Sequence, residues 1–135
     1  MPMLNRGCVV LLLISTLSCG LPVGPGSTST NAMDGTWVGT TTDNLGASAN
    51  IRATMSQSGA SLSGTWVSTN SSNTNGGMLS GSVNGSSLSV TLTPSIATAC
   101  PLSVTATVNG SQLIGTYAGV SCTVAVKGSI TLTKQ

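Results

Sequence analysis

Apolar and polar residues alternate with a period of two along most of the chain beyond residue 34. Ile51, Ala53 and Met55 are separated by polar residues, as are Leu79, Gly81 and Val83, and again Leu102, Val104, Ala106 and Val108. Alternate positions of a strand point to opposite faces, so this spacing predicts strands with one hidden and one solvated face. No stretch carries the spacing of an amphipathic helix. Each run leads into a glycine turn followed by a second alternating run, and three such segments align. They are Ser58-Gly59-Ala60-Ser61-Leu62-Ser63-Gly64-Thr65-Trp66, Asn84-Gly85-Ser86-Ser87-Leu88-Ser89-Val90-Thr91-Leu92 and Asn109-Gly110-Ser111-Gln112-Leu113-Ile114-Gly115-Thr116-Tyr117. Asn-Gly is a strong hairpin signal, because both residues tolerate positive φ.

Each segment, with the run before it, reads as a hairpin of two strands. A further strand precedes the set near Gly35–Thr40, and another follows over Val124–Leu132. The chain is therefore read as all-β, with eight antiparallel strands in chain order. Closing the first strand on the last removes both free edges and gives an up-and-down (meander) β-barrel. A two-sheet sandwich has the same strand pattern; the chain-order hairpins and the lack of a long crossover favour the barrel. The expected inward set is Trp37, Ile51, Ala53, Met55, Leu62, Trp66, Leu79, Val83, Leu88, Val90, Leu92, Val104, Val108, Tyr117, Val126, Ile130 and Leu132. The Ser and Thr between them suit a solvated sheet face.

Composition excludes several chemistries. Charged residues make up 4% of the 135 residues, and the chain has no His, no Glu and no Phe. The charged groups are Arg6, Asp34, Asp43, Arg52, Lys127 and Lys134. So few cations cannot neutralise a row of phosphates, so no nucleic-acid partner is expected. A nucleophilic Ser or Thr needs a base, and His is absent. Lys127 and Lys134 fall near a polar C-terminal strand, a poor setting for a desolvated base. Asp34 and Asp43 are the only carboxylates for paired acid–base work, and Asp43 stands beside Asn44-Leu45-Gly46 in a turn context. The expectation is no catalytic residues, no metal site and no cofactor. Asn70-Ser71-Ser72, Asn84-Gly85-Ser86 and Asn109-Gly110-Ser111 match the glycosylation sequon but read here as turns and loop.

The N-terminal segment differs from the rest. Arg6 precedes an apolar stretch from Gly7 to Leu17. That stretch is too short for a spanning helix and suits the apolar core of a signal peptide. It ends at Thr16-Leu17-Ser18-Cys19-Gly20, which resembles a bacterial lipobox, although Thr16 stands where Leu is usual. The resemblance implies a signal peptide over 1–18 and a lipid-modified Cys19. It also implies a bacterial cell-envelope location, held to the membrane by the anchor. By likeness to proteobacterial sorting, Gly20 suits the outer membrane. Residues 19–33, rich in Pro, Gly and Ser, read as the lipidated Cys and a flexible linker, and 34–135 as the barrel domain. With Cys8 in the leader and Cys19 acylated, Cys100 and Cys122 remain as a structural disulfide pair in an exported setting.

At Gly35-Thr36-Trp37, and at Leu62 to Trp66 and Leu113 to Tyr117, the chain resembles avidin-like and lipocalin-like meander barrels. It resembles still more the small bacterial lipoproteins with Gly-Thr-Trp, Ser/Gly-rich hairpins and a Cys pair. The lipocalin likeness implies that Trp37 closes the barrel base. Biotin binding is not carried over, since Trp37, Trp66 and Tyr117 are the only aromatics. Periplasmic metalloprotease inhibitors also use a small barrel with one disulfide, but theirs sits early in the domain. Trp66 and Tyr117 occupy equivalent places in two repeats. With Trp37 they form a candidate ligand pocket, for which simple core filling is the alternative. Three functions remain open: binding of a small apolar ligand, a structural or protein-interaction role for a filled barrel, and protease inhibition. For the second, Thr69–Gly77 is the candidate contact loop.

Overall fold

The computed structural model describes residues 31–135. The expected signal peptide, Cys8, Cys19 and the tether up to Thr30 lie outside the described residues. Eight strands follow in chain order: β1 (Gly35–Asp43), β2 (Ser48–Ser58), β3 (Ser61–Thr69), β4 (Thr74–Asn84), β5 (Ser87–Pro94), β6 (Leu102–Asn109), β7 (Gln112–Gly119) and β8 (Lys127–Lys134). Each pairs antiparallel with its chain neighbours, and β1 also pairs with β8 from Trp37↔Lys134 to Asp43↔Gly128. The sheet is a closed up-and-down barrel rather than a sandwich. Followed through all eight ladders, the register returns to β1 displaced by ten residues, from 37 to 47. Closing a sheet with such a stagger tilts the strands by roughly 40° and leaves an interior for side chains or one small ligand.

The two ends of the barrel differ. Three two-residue turns, Gly59-Ala60, Gly85-Ser86 and Gly110-Ser111, lie at one end together with both termini of the domain. Gly59, Gly85 and Gly110 have φ near +62° (61°, 62° and 63°), while the residue after each does not have positive φ. Positive φ at the first central position alone marks a type II′ turn, which requires glycine there. The Asn of each Asn-Gly pair is therefore the last strand residue and not part of the turn: Asn84 pairs with Ser87, and Asn109 with Gln112. Four longer loops, 44–47, 70–73, 95–101 and 120–126, surround the opposite end.

Leu62, Leu88 and Leu113, each three residues beyond a turn glycine, form a buried layer near the tight-turn end. Trp37 and Met33 fill the space beneath them, at 0% and 1% exposure. The segment before β1 is strapped across this closed end. Trp37 Nε1 donates to the Met33 carbonyl (3.0 Å), and Met33 N donates to Gln57 Oε1 (3.1 Å). Gln57 N donates to Asp34 Oδ1, and Lys134 Nζ donates to the Ala32 carbonyl (3.0 Å). Lys134 Nζ also stands 5.8 Å from the Trp37 ring centroid, within cation–π range. Trp37 thus closes the barrel base.

Several positions depart from the sequence reading. Met33, read as tether, is in the core, because its side chain plugs the closed end. Leu113 and Ala106 belong to the buried set. The Leu113-Ile114 pair leaves the inward residue ambiguous in sequence; pairing of Leu113 with Leu132 turns Ile114 outward, at 53% exposure. The expected loop Thr69–Gly77 contracts to 70–73, since Thr74–Gly77 pair with β3 up to Gly77↔Trp66. Cross-strand partners decide strand structure there over the weak propensity of Asn and Gly. β8 begins at Lys127, so Val124 and Val126 lie in the preceding loop.

Removing the plug tests this end. Met33→Ala is expected to cost about 2–4 kcal/mol in urea unfolding, the range for truncating a buried large side chain. A residue in a solvated tether would change stability by less than about 0.5 kcal/mol.

Candidate functional site

Repetition of the hairpins brings equivalent residues to the open end. Seven residues beyond the turn glycines stand Trp66, Leu92 and Tyr117, and all three line one cavity at the mouth. Its volume is about 390 Å³, within the range of pockets for small ligands. Ile51, Trp66, Leu92, Val104 and Ile130 make an apolar floor, while Thr41, Asp43, Ser68, Asn75 and Tyr117 bring polar groups to the walls and rim. The barrel below is packed: a void of only about 20 Å³ remains among the aliphatic side chains, roughly room for one water.

Trp66 and Tyr117, paired in the sequence reading, share this cavity. Trp37 does not line it. Its pairing with Ala53 and Lys134, and its bond to Met33, place it at the closed end. The interior is open at the mouth, where Trp66 and Tyr117 stand, and packed at the base around Trp37.

The aromatic groups are fixed by their neighbours. Trp66 Nε1 donates to the Met78 carbonyl (3.0 Å), which leaves the ring without a free donor. Tyr117 is cross-strand to Gly128, which is in turn cross-strand to Asp43. A Cβ at position 128 would lie 2.7 Å from Tyr117 Oη, so glycine makes room for the phenol. Burial, and then the Asp43 carboxylate, hold the Tyr117 phenol above its ordinary value of 10.0. Tyr117 is accordingly neutral at physiological pH and keeps its O–H as a donor.

The loops around the mouth are also braced. Asp43 Oδ1 accepts from Leu45 N (2.8 Å) and Ala47 N (2.9 Å), the turn role its sequence context predicts. Asn70 Oδ1 accepts from Ser72 N and Asn73 N, both 2.8 Å. The Cys100–Cys122 disulfide joins loops 95–101 and 120–126 with a Cα separation of 5.3 Å. Gly119 accommodates it, since a Cβ there would stand 2.1 Å from Cys122 Sγ. Asp34 is bonded at the closed end and Asp43 at the mouth, so the two carboxylates do not form a pair. Among the described residues, no three His, Cys, Asp or Glu side chains gather where they could hold a metal ion.

Fold and site together define a closed eight-stranded meander barrel with a sealed base and a disulfide-braced, cavity-bearing mouth. Compared with family models, curated proteins and solved structures, the chain matches none.

Two measurements follow from this geometry. Absorbance titration is expected to give a Tyr117 midpoint above 10, and Asp43→Asn to lower it without restoring the ordinary value, because burial is the larger cause. A raised folded-state value favours the neutral form, so its contribution to stability is present below pH 10 and fades as pH rises through the folded midpoint. Cys100→Ser with Cys122→Ser is expected to lower stability by about 3 kcal/mol on the chain-entropy account, read by denaturant unfolding.

Proposed function

We propose that this chain is a lipid-anchored protein of the bacterial envelope, on the outer membrane, whose barrel domain binds a small, largely apolar molecule in its mouth without transforming it. The observation that carries the reading is the 390 Å³ cavity with an apolar floor and a polar rim. A molecule seated there exchanges solvated apolar surface for contact with Trp66 and the aliphatic floor, the usual driving force in such pockets. The hydroxyl and amide groups at the rim orient it.

A binding role without catalysis is supported by the chain's chemistry. No His is present in the sequence, and the two carboxylates of the domain stand at opposite ends of the barrel. The anchor rests on the lipobox-like segment ending at Cys19. The described chain enters the domain at the closed end, opposite the mouth.

One observation favours a second reading, docking of a partner protein at the mouth. Leu45 and Val124, on two of the four loops there, are 88% and 71% exposed. Apolar groups exposed on loops at one end of the barrel offer contact points for a partner.

Titration of the full chain with the uncharged dye N-phenyl-1-naphthylamine tests the leading reading. Saturable fluorescence enhancement at one dye per chain is expected. Ala49→Trp, which fills the mouth, is expected to weaken it at least about tenfold, while Asn50→Trp, on the outer face of the same strand, leaves it unchanged. Non-saturable enhancement, or equal binding by the Ala49 variant, would exclude the mouth as the site.

A further inference from the structure

The charge of the cavity narrows what it can hold. Asp43 is the only charged residue among those lining the mouth, and no Lys or Arg is among them. The nearest cation in sequence along the paired strands, Lys127, is exposed and directed outward, because Gly128 beside it takes the inward position opposite Asp43 and Tyr117. The carboxylate therefore has no cation set against it inside the mouth.

Two aromatic side chains share the cavity with this carboxylate. Trp66 has its N–H committed to the Met78 carbonyl, so what remains for a ligand is its electron-rich ring. Tyr117 is neutral at pH 7, its phenol raised further by burial and then by Asp43, and Gly128 alone stands between the two in the ladders, cross-strand to both. A carboxylate that shares one cavity with a Trp ring and a neutral Tyr, above an aliphatic floor, attracts a positive group while accepting an apolar body. An anionic ligand would meet Asp43 with no compensating cation.

We propose that the mouth selects small organic cations: a protonated amine or quaternary ammonium group on an apolar body, with the cation set among Asp43, Trp66 and Tyr117 and the body on the floor made by Ile51, Leu92 and Ile130. The proposal rests on the reading of the mouth as a ligand site and adds the charge of the ligand. Asp43 acts through its net charge, since Oδ1 is already engaged by the backbone of the loop.

Three probes of matched size decide it: 3-phenylpropylamine, 3-phenylpropan-1-ol and 3-phenylpropanoate, each competing with N-phenyl-1-naphthylamine on the full chain at pH 7. The amine is expected to bind about fivefold more tightly than the alcohol, the scale of a partly exposed charge contact, and the carboxylate most weakly. Asp43→Asn keeps the oxygen that caps the loop. It should close the gap between the amine and the alcohol. Salt gives a reading without mutation: the amine's affinity falls between low and high sodium chloride, while the alcohol's does not. An alcohol or carboxylate that binds as well as the amine, or an amine affinity insensitive to salt, overturns the cation proposal and leaves the ligand site standing. Failure of the dye and all three probes to bind would overturn the ligand site itself.

Discussion

The ladder between β1 and β8 is the interaction on which the rest of this structure depends. Seven hairpins made of local pairings would leave an open sheet with two exposed edges and a greasy face in water. Pairing the first strand with the last converts that sheet into a container, and only then do Ile51, Leu92, Val104 and Ile130, from four different strands, face one another across an interior. The pairing spans nearly the whole length of the domain, so its loop-closure entropy is large. It is offset by the backbone hydrogen bonds of the ladder and by burial of the core. The strap of Ala32 to Asp34 reinforces the same seam: Lys134, at the end of β8, reaches the Ala32 carbonyl, and Gln135 N bonds to Thr36.

Sealing one end of the container has a consequence for the other. Bulk is concentrated at the base, where Trp37, Met33 and the leucine layer fill the section. Toward the mouth the inward positions become small or polar, with Thr41, Ala49, Ser68 and Gly128 taking turns with Trp66 and Tyr117. The cavity is a direct result of that gradient in side-chain volume. Disulfide, Asx turns and strand pairing hold its rim, so the space does not depend on a bulky side chain to prop it open.

The loops at the mouth therefore combine two roles that a small domain rarely separates. They complete the structure by capping strand ends, and they carry the groups a ligand would meet. Asp43 illustrates both, since one oxygen orders the β1–β2 loop while its charge colours the cavity. The closed end has no such double duty and is occupied by core packing alone.

Much of this was legible in the residue pattern. Period-two alternation and regularly spaced glycine turns determine eight strands, their order and most of the inward face, because side-chain direction in a strand is a local property. The spacing of the repeats also placed Trp66 and Tyr117 at equivalent positions. What alternation cannot state is position along the barrel axis, which follows from the stagger accumulated over all eight ladders. Contacts between distant residues hold Trp37 at the base with Met33 and Lys134, turn Leu113 inward in place of Ile114 through its pairing with Leu132, extend β4 through Asn75 and the paired glycines, and draw Met33 out of the tether. The tight turns and the alternating faces belong to the sequence by itself; closure, stagger and the resulting empty mouth were decided only by the tertiary structure, because they depend on contacts between residues far apart in the chain.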